Sequence, residues 1–514
     1  MNNETDDYRH IRIFVKILDK IYKQIKSLIG RINIRMKGKY SPTLIAVYAG
    51  LASAILLTIM LFIPPYLGLS DDGRFSRVMN SAGIYSFDSN GEDSYFNYYI
   101  RKYSTITTGV DKSGYFSSLT IFVRVALVIN NLFNKNNVFD MRFMALVYAM
   151  IFIPALMLLV KHAARQVDNF TEGAIIGIAG VVIFSDVSYI TYFSSFYAEA
   201  LVFVCFLLCI GSALSLEKEG KDDFWLIIYA ISGILMITAE RQYALSGIFL
   251  GILAIAFIFI KKELSWRIGC IVVGFILVSS SFLSYYLIAS DFSLSSKFHA
   301  MTRGVLLQSS NPEEALEEFG ISPNYSVLTD INANYPYPFT KAYNKDLDNG
   351  FYNKYNTFDI GYYYIKHPGS MISMLDISVK SVFNTRTDYS GNYEKSVGLK
   401  PKAKSLFWSA WSTFKMKSAP KTIGFIFILI LAVFIIDITN EGDPDDKRGQ
   451  IAVETMILII VIGLSQAITT IVMSGDAEFS SHTFIFSVSI DVLCYFCFSE
   501  ILHKLNIIQS GGRE

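Results

Sequence analysis

The sequence predicts an all-α polytopic membrane protein, and two properties of the chain support that prediction. Of its 514 residues, 52% are hydrophobic and only 17% are charged, whereas soluble domains carry about 25% charged residues. The apolar residues are also gathered into ten runs, each close to the roughly 20 residues that a helix needs to cross a bilayer. These properties exclude a soluble enzyme, a nucleic-acid-binding protein and a secreted disulfide scaffold.

The ten runs define ten predicted transmembrane spans. They lie near residues 44–64, 139–160, 172–188, 195–214, 224–239, 244–260, 268–288, 421–437, 451–472 and 483–502. All five cysteines fall inside these spans. We therefore interpret the cysteines as packing residues and not as disulfide partners or metal ligands.

Basic residues predict the orientation of the spans. Residues 1–43 form a basic, amphipathic N-terminal segment with ten Lys and Arg between Arg9 and Lys39, which indicates a cytoplasmic N-terminus. Ten spans return the tail, residues 503–514, to the cytoplasm. The predicted short outer loops, near 188–194, 240–243 and 473–482, contain a single basic residue, Arg241.

Two predicted extracellular segments are long. Residues 65–138 interrupt the first membrane block, 44–288, and contain an apolar stretch at Ser117–Phe133 with Arg124 in its middle. We predict that this stretch is an interfacial helix, because an eleventh span would invert every later loop. Residues 289–420 are numerous enough for a small extracellular loop domain, and residues 421–502 hold the last three spans.

The outer ends of the predicted spans collect polar residues. Five clusters fall at this surface: Leu69–Phe75, Phe184–Tyr189, Tyr192–Glu199, Thr238–Tyr243 and Ser474–His482. Ionisable groups at membrane depth are costly and normally mark a functional cavity. The topology therefore predicts that several carboxylates, an arginine, a histidine and many aromatic side chains converge on one extracellular site.

This set of side chains suits the transfer of a sugar from a lipid-linked phosphate. A carboxylate is needed to take the proton of the attacking hydroxyl, and cations or hydrogen-bond donors, such as Arg241 and His482, are needed to stabilise the leaving phosphate. Structural explanations remain open for single residues. Asp71 and Asp72 also fit a solvated loop, and Asp186 also fits a helix cap.

Several short stretches occur in an order and spacing that match a known pattern: Asp71-Asp72-Gly73 with Phe75, Arg77, Val78, Met79 and Gly83–Tyr85; Asp186, Tyr189, Tyr192–Tyr197 and Glu199; Arg241-Gln242; Phe298–Leu306; Asn311-Pro312, Leu316 and Phe319-Gly320; His367-Pro368; Gly391–Glu394; and Gly475-Asp476. In these stretches the chain resembles the GT-C superfamily of polytopic glycosyltransferases, and more narrowly the bacterial surface-glycan hexosyltransferases of the WsfD type. Ser194 and Arg241 depart from the pattern, which expects Asn and Lys there.

The resemblance implies a GT-C-type helical bundle and a role for each site residue. Asp71 or Asp72 would be the catalytic base, and Arg241, with His482, would bind the donor phosphate. The residues implied in substrate binding are Asp186, Tyr189, Glu199, Gln242 and Asp476. No cofactor is required by the pattern, but a divalent metal stays open because some members of the superfamily bind one through first-loop carboxylates.

The sequence thus predicts an integral membrane hexosyltransferase. It would transfer a hexose from a polyprenyl-phosphate donor to a cell-surface glycan or polymer on the outer face, with inversion. Its partners would be the lipid-linked donor, the glycan acceptor and membrane lipids, with no nucleic acid. Three alternatives stay open: a polysaccharide polymerase or ligase with a lipid pyrophosphate donor, a non-enzymatic transporter or flippase, and a catalytically silent accessory subunit.

Overall fold

The computed structural model describes residues 20–511 with gaps at 21–22, 25–26, 28–29, 32, 36–39, 88–94, 106–115, 135, 168, 219, 289–293, 333–345, 387–389, 440–446 and 478. Most of the predicted N-terminal amphipathic segment lies outside the described residues. Glu478 of the last polar cluster does so as well.

From Pro42 onwards, the described residues of the first half of the chain form ten helices and a small antiparallel ribbon. In order these are α1 (Pro42–Phe62), α2 (Phe75–Ala82), β1 (Lys102–Ser104), α3 (Ser118–Phe133), β2 (Val138–Asp140), α4 (Arg142–Ala163), α5 (Phe170–Phe184), α6 (Val187–Ile190), α7 (Ala198–Ser215), α8 (Asp222–Ile237), α9 (Ser246–Ala256) and α10 (Leu264–Leu287). Turns of 3₁₀ helix at Thr191–Ser194, Arg241–Tyr243 and Phe257–Phe259 adjoin α6 and both ends of α9.

The second half begins with short helices and ends with three long ones. They are α11 (Leu294–His299), α12 (Leu306–Gln308), α13 (Pro312–Glu318), α14 (Asp346–Gly350), α15 (Thr357–Lys366), α16 (Pro368–Val382), α17 (Ala410–Ser418), α18 (Ile423–Thr439), α19 (Gln450–Ser474), α20 (Phe479–His482) and α21 (Phe484–Gly511). A π-helical turn, Ala300–Val305, joins α11 to α12, and 3₁₀ turns form at Pro323–Leu328, Tyr352–Lys354 and Lys395–Val397.

The described residues confirm an all-α polytopic membrane protein, with fewer full spans than predicted. Each of the ten predicted spans forms a helix, but seven helices are long and apolar enough to cross a membrane, or eight if α5 and the segment Val187–Ser194, bent by 45°, count as one. Helix α8 has 16 residues. At about 1.5 Å per residue it falls short of the roughly 30 Å hydrocarbon core.

The stretch of the first long segment that was predicted to be interfacial is helical. It forms α3, which begins at the cap residue Ser117 and exposes Ile121, Val128 and Leu132 along one side. The Arg124 guanidinium donates to the Ser81 carbonyl at 3.1 Å, so α3 is tied to α2. At 16 residues α3 is shorter than a membrane span.

Helix α7 forms the centre of the bundle. Of its most apolar window, 94% is buried inside the protein, and α7 packs against α4 and α8. A second, smaller core lies in the segment 289–420 around Phe298, Leu316 and Phe351, and it includes Ile471 from the last turn of α19. This second core is therefore built directly onto the end of α19, while the division of 289–420 as a loop domain stays a prediction.

The predicted inner loops meet at one end of the bundle. The Asp222 carboxylate pairs with Lys261 at 2.8 Å and with Arg448 at 3.0 Å, and Arg165 pairs with Glu217. These contacts join loops that are far apart in sequence, as the charge pattern predicts. Which end of the bundle faces the cytoplasm stays a prediction.

Candidate active site

The loop that follows α1 is held in place by the segment near residue 391. The backbone N–H groups of Gly68 and Ser70 donate to the carbonyls of Asn392 and Gly391, each at 3.1 Å. A Cβ atom on Gly391 would lie 2.1 Å from the Asn97 carbonyl oxygen, so only glycine allows this approach. The loop carrying Asp71 is thus fixed by pairing with a distant part of the chain.

Asp71 lies half-buried at the start of α2. Its Oδ1 atom accepts the N–H groups of Gly73 at 2.7 Å and Phe75 at 3.2 Å. Burial, opposed by these two hydrogen bonds and assisted by the neighbouring Asp72 charge, raises the pKa of Asp71 to about 6. The carboxyl therefore titrates close to neutral pH, where a general base is most effective.

Asp72 has a different environment, because it is neutralised by Arg74. The Arg74 Nε atom donates to both Asp72 carboxylate oxygens, at 2.9 and 3.2 Å. The same guanidinium lies 4.7 Å from the centre of the Tyr197 ring. The Tyr197 hydroxyl in turn donates to the Ser70 carbonyl at 2.8 Å and accepts from the Asp72 N–H at 3.0 Å. The two adjacent carboxylates are therefore not equivalent.

Glu199 joins this cluster from the first turn of α7. Its side chain is fully buried, and its Oε1 atom accepts from Arg74 at 3.2 Å. Among the described residues, neither the Oε2 atom of Glu199 nor the buried Tyr243 hydroxyl has a hydrogen-bond partner. The Glu199 charge also acts on Tyr243. Unsatisfied buried polar atoms are costly, and both groups are suited to binding the hydroxyls of a substrate.

Gln242 and His482 form a chain of hydrogen bonds with Glu240. The Gln242 amide Nε2 donates to the Glu240 carboxylate at 2.7 Å, and its Oε1 atom contacts His482 Nδ1. Because a carboxylate can only accept, the amide nitrogen must face Glu240 and the amide oxygen must face the imidazole. Gln242 therefore keeps the proton of His482 on Nδ1.

Arg241 points into a separate cavity of about 210 Å³. Its guanidinium lies 4.1 Å from the centre of the Tyr285 ring. A second cation, Lys297, lines the same cavity with Tyr355. The Lys297 ammonium donates to the Tyr352 carbonyl at 2.5 Å, and burial lowers its pKa. Two cations among tyrosines make this cavity suited to an anion such as a phosphate.

Two predicted substrate-binding residues lie in a different network. The Asp186 carboxylate is fully buried and accepts backbone N–H groups of Ser188 at 2.9 Å and Ser412 at 3.0 Å. It caps α6 and holds the start of α17. The Tyr189 hydroxyl donates to Asp491 at 2.5 Å, within the network that includes Lys415. Both residues thus have structural contacts of their own.

Asp476 also lies apart from the first-loop cluster. The Arg303 guanidinium donates to its two oxygens at 2.6 and 2.9 Å and pairs with Asp330 as well. Next to Asp476, Gly475 has a φ of +59°, and a Cβ there would be 2.7 Å from the Gly304 nitrogen. Asp476 therefore fastens the loop after α19 to the π-helical turn.

The structure brings some of the predicted site residues together, leaves Asp186, Tyr189 and Asp476 in contacts of their own, and adds residues that the sequence did not single out. Arg74 joins Asp72 to Glu199 and also interacts electrostatically with Asp71 and Glu240. Glu240 leads to Gln242 and His482, and Arg241 lies between them in the chain. The residues missed at the sequence level are Arg74, Glu240, Lys297, Arg303, Lys415 and Asp491. Arg74 and Glu240 stand within the quoted polar clusters, which was the available signal.

A metal site is not assembled in the described part of the chain. No group of three or more His, Cys, Asp and Glu side chains lies there in a metal-binding arrangement. Of the aspartates in the polar clusters, Asp72 is paired with Arg74 and Asp476 with Arg303, so each of these two carboxylates already has a cationic partner.

The fold and this polar region define a multi-pass, all-α membrane protein with a candidate site at one end of its bundle. The chain belongs to the YfdI N-terminal transmembrane domain family, whose family model matches residues 23–513. The narrower resemblance to the WsfD type stays a prediction from the sequence motifs.

Among solved structures, the chain is similar to the archaeal oligosaccharyltransferase AglB from Archaeoglobus fulgidus, determined in complex with an inhibitory peptide and a dolichol-phosphate. The similarity has a TM-score of 0.38 and 11% sequence identity, and covers 92% of this chain. It covers 52% of AglB, so the chain spans about half the length of that protein. A comparison with curated protein sequences finds no match.

Proposed function

We propose that this protein is an integral membrane glycosyltransferase that transfers a hexose from a polyprenyl-phosphate donor to a cell-surface glycan. The observation that carries the proposal is the pair of unequal carboxylates in the loop between α1 and α2. Asp71 has a pKa of about 6, while Asp72 is paired with Arg74. Two titratable groups whose different surroundings separate their pKa values are typical of acid–base catalysis.

In the proposed reaction, Asp71 removes the proton of an acceptor hydroxyl. The acceptor oxygen then forms a bond to the anomeric carbon of the donor sugar, while the bond from that carbon to the phosphate oxygen breaks. The departing phosphate takes the electron pair, and attack from the opposite side inverts the anomeric configuration. Asp72 holds Arg74 in place, and Arg74 orients Glu199.

The cavity between Arg241 and Lys297 is assigned to the leaving phosphate. Cations fixed before the reaction stabilise the charge that develops on the leaving group. The Oε2 atom of Glu199 and the hydroxyl of Tyr243 are assigned to the sugar hydroxyls. The proposal also includes both termini in the cytoplasm and the site on the extracellular face of the cell membrane.

A second candidate is a polymerase or ligase that uses a lipid pyrophosphate donor. The observation that favours it is Lys297, because a diphosphate leaving group calls for more than one cation, and the sequence had indicated only Arg241. Parallel assays with polyprenyl monophosphate and diphosphate sugars distinguish the two candidates by which donor is consumed.

The first test removes the two cations of the cavity. We expect Arg241→Gln and Lys297→Gln each to lower kcat/KM for polyprenyl-phosphate-hexose by roughly 10- to 100-fold, since a hydrogen bond to a charged group contributes about 1.5–3 kcal/mol. The assay measures the release of polyprenyl phosphate by purified protein in detergent. Arg124→Gln, which removes a similar cation from α3, is the matched control and should retain activity. Full activity of both cavity variants would refute the phosphate assignment.

The pH profile provides an independent test of the base. Because the base must be ionised, kcat/KM should rise with pH through a midpoint near the Asp71 pKa of about 6. Asp72→Asn removes a like charge and leaves Arg74 less neutralised, and both effects favour the Asp71 carboxylate. The midpoint should therefore move to lower pH in this variant. An unchanged midpoint in Asp72→Asn would show that another group controls the profile.

A further inference from the structure

Helix α15 carries an apolar stripe that the described residues leave uncovered. Phe358, Tyr362 and Ile365 are 83%, 59% and 77% exposed. They are spaced by four and three positions, so they lie on one side of the helix. We propose that this stripe is inserted into the lipid leaflet at the site end of the bundle, so that α15 is a membrane-surface helix and not part of a water-exposed domain.

The opposite side of α15 fixes its height relative to the membrane. Ile360, Tyr363 and Tyr364 are buried in the same core as Ile471. A Cβ atom on Gly361 would lie 3.8 Å from Val472. Since Ile471 and Val472 belong to the last turn of a membrane helix, α19, α15 lies beside the end of that helix, at the boundary of the apolar layer.

The stripe continues the lipid-facing surface of α10. Near the end of α10, Phe282 is 56% exposed and Tyr286 is 79% exposed. Tyr285 of α10 and Thr357 of α15 line the same cavity, so the end of one helix adjoins the start of the other. Because α10 is a membrane helix, its exposed Phe282 and Tyr286 side chains face lipid. The stripe of α15 adjoins them and extends the same apolar surface.

The charge next to the stripe also fits a leaflet. The Lys366 ammonium lies 4.7 Å from the centre of the Tyr362 ring, at the last residue of α15. Lysine and tyrosine both have an apolar body and a polar end, which suits them to the boundary between hydrocarbon and headgroups. A lipid leaflet also provides anionic headgroups for the lysine. These features favour lipid over a second copy of the chain or a soluble partner.

The inference does not depend on the proposed enzymatic function, but it has a consequence for the cavity. Residues at the start of α15 form one wall of the cavity that holds Arg241 and Lys297. With α15 in the leaflet, that cavity lies at headgroup depth. A phosphate carried by a lipid then reaches the two cations without leaving the membrane surface.

Spin labels on the full chain in lipid nanodiscs test the proposal. Cysteine is introduced singly by Phe358→Cys, Tyr362→Cys or Ile365→Cys and labelled with a nitroxide. Phe282→Cys on α10 is the lipid-facing reference, and Glu313→Cys, at an exposed position of α13, is the water-facing reference. Of the five native cysteines, four are buried and one is half-buried, so unlabelled wild type measures the background.

We expect the three α15 labels to be accessible to molecular oxygen and protected from a water-soluble nickel complex, as the label at 282 is. Accessibility to the nickel complex equal to that at 313 would overturn the proposal. Protection from both reagents would also overturn it, because it would indicate a covering protein surface. Three sites on one stripe allow for a variant that fails to fold.

Discussion

Asp71→Asn is expected to reduce sugar transfer by roughly 10²- to 10⁴-fold, the usual contribution of a general base. The amide cannot take the acceptor proton, yet its oxygen can still accept the N–H groups of Gly73 and Phe75 that fix the start of α2. The loss should therefore appear in kcat with the protein still folded. Release of polyprenyl phosphate, measured at equal folded yield, checks this result.

The same substitution has a predictable effect on stability. The folded-state pKa of Asp71 is about 6, above its ordinary value of 3.8, so folding favours its neutral form. The ionised carboxylate therefore costs stability, and this cost grows as the pH rises from about 4 to about 6. Asp71→Asn should be at least as stable as wild type at pH 7, which separates loss of the base from loss of the fold.

Asp72→Asn is the matched control for the base, because it alters the adjacent carboxylate and leaves Asp71 in place. It weakens the pairing with Arg74, so we expect reduced but measurable turnover. If Asp72→Asn abolished turnover and Asp71→Asn retained it, the roles of the two aspartates would be reversed. Full activity in both variants would remove the first loop from the reaction.

Lys415→Met is expected to destabilise the protein by about 3–5 kcal/mol, the usual cost of breaking a buried ion pair. Lys415 and Asp491 are 2% and 0% exposed, and the ammonium lies 2.9 Å from the carboxylate. Removing the lysine leaves the Asp491 charge inside the helix bundle without its cation, and the Tyr189 hydroxyl is the donor that remains to it among the described residues. The midpoint of unfolding in detergent, followed by the loss of helical signal, measures the effect.

The double variant Lys415→Met/Asp491→Leu provides the control for charge. With both charges gone, no unpaired ion remains buried, and apolar replacements of buried pairs are often neutral or stabilising. We expect the double variant to recover most of the stability lost in Lys415→Met. A double variant as unstable as the single one would show that packing, and not the unpaired charge, causes the loss.

Much of the helical architecture could be predicted from the sequence, because each apolar run is long enough to signal a helix without knowledge of its neighbours. The number of full spans was less predictable. Helix α8 ends after Ile237, and the chain bends by 45° after α5. Such ends depend on local capping and packing, for example on Asp186, which accepts backbone N–H groups from two different helices.

The candidate site was predicted as a set of outer clusters, and the contacts of Arg74 and of Gln242 join residues from several of those clusters. Which residues face each other was not predictable. Asp186 and Tyr189 adjoin Glu199 in sequence, yet they enter a network with Ser412, Lys415 and Asp491. The position of a polar residue in the sequence is enough to indicate the end of a span. The side chain that it contacts depends on how each helix is rotated about its own axis, which the sequence does not show.

The sequence by itself determined the class of the protein, the approximate position of its helices along the chain and the segments that carry its polar residues. Each segment's own hydrophobicity and charge decide whether it enters the bilayer, so these features do not depend on its neighbours. Only the tertiary structure decided that Asp72 is neutralised by Arg74 while Asp71 stays available, and that Lys297 joins Arg241 in one cavity. These pairings depend on distances of a few ångströms between segments far apart in the chain, and the packing of the whole bundle sets those distances.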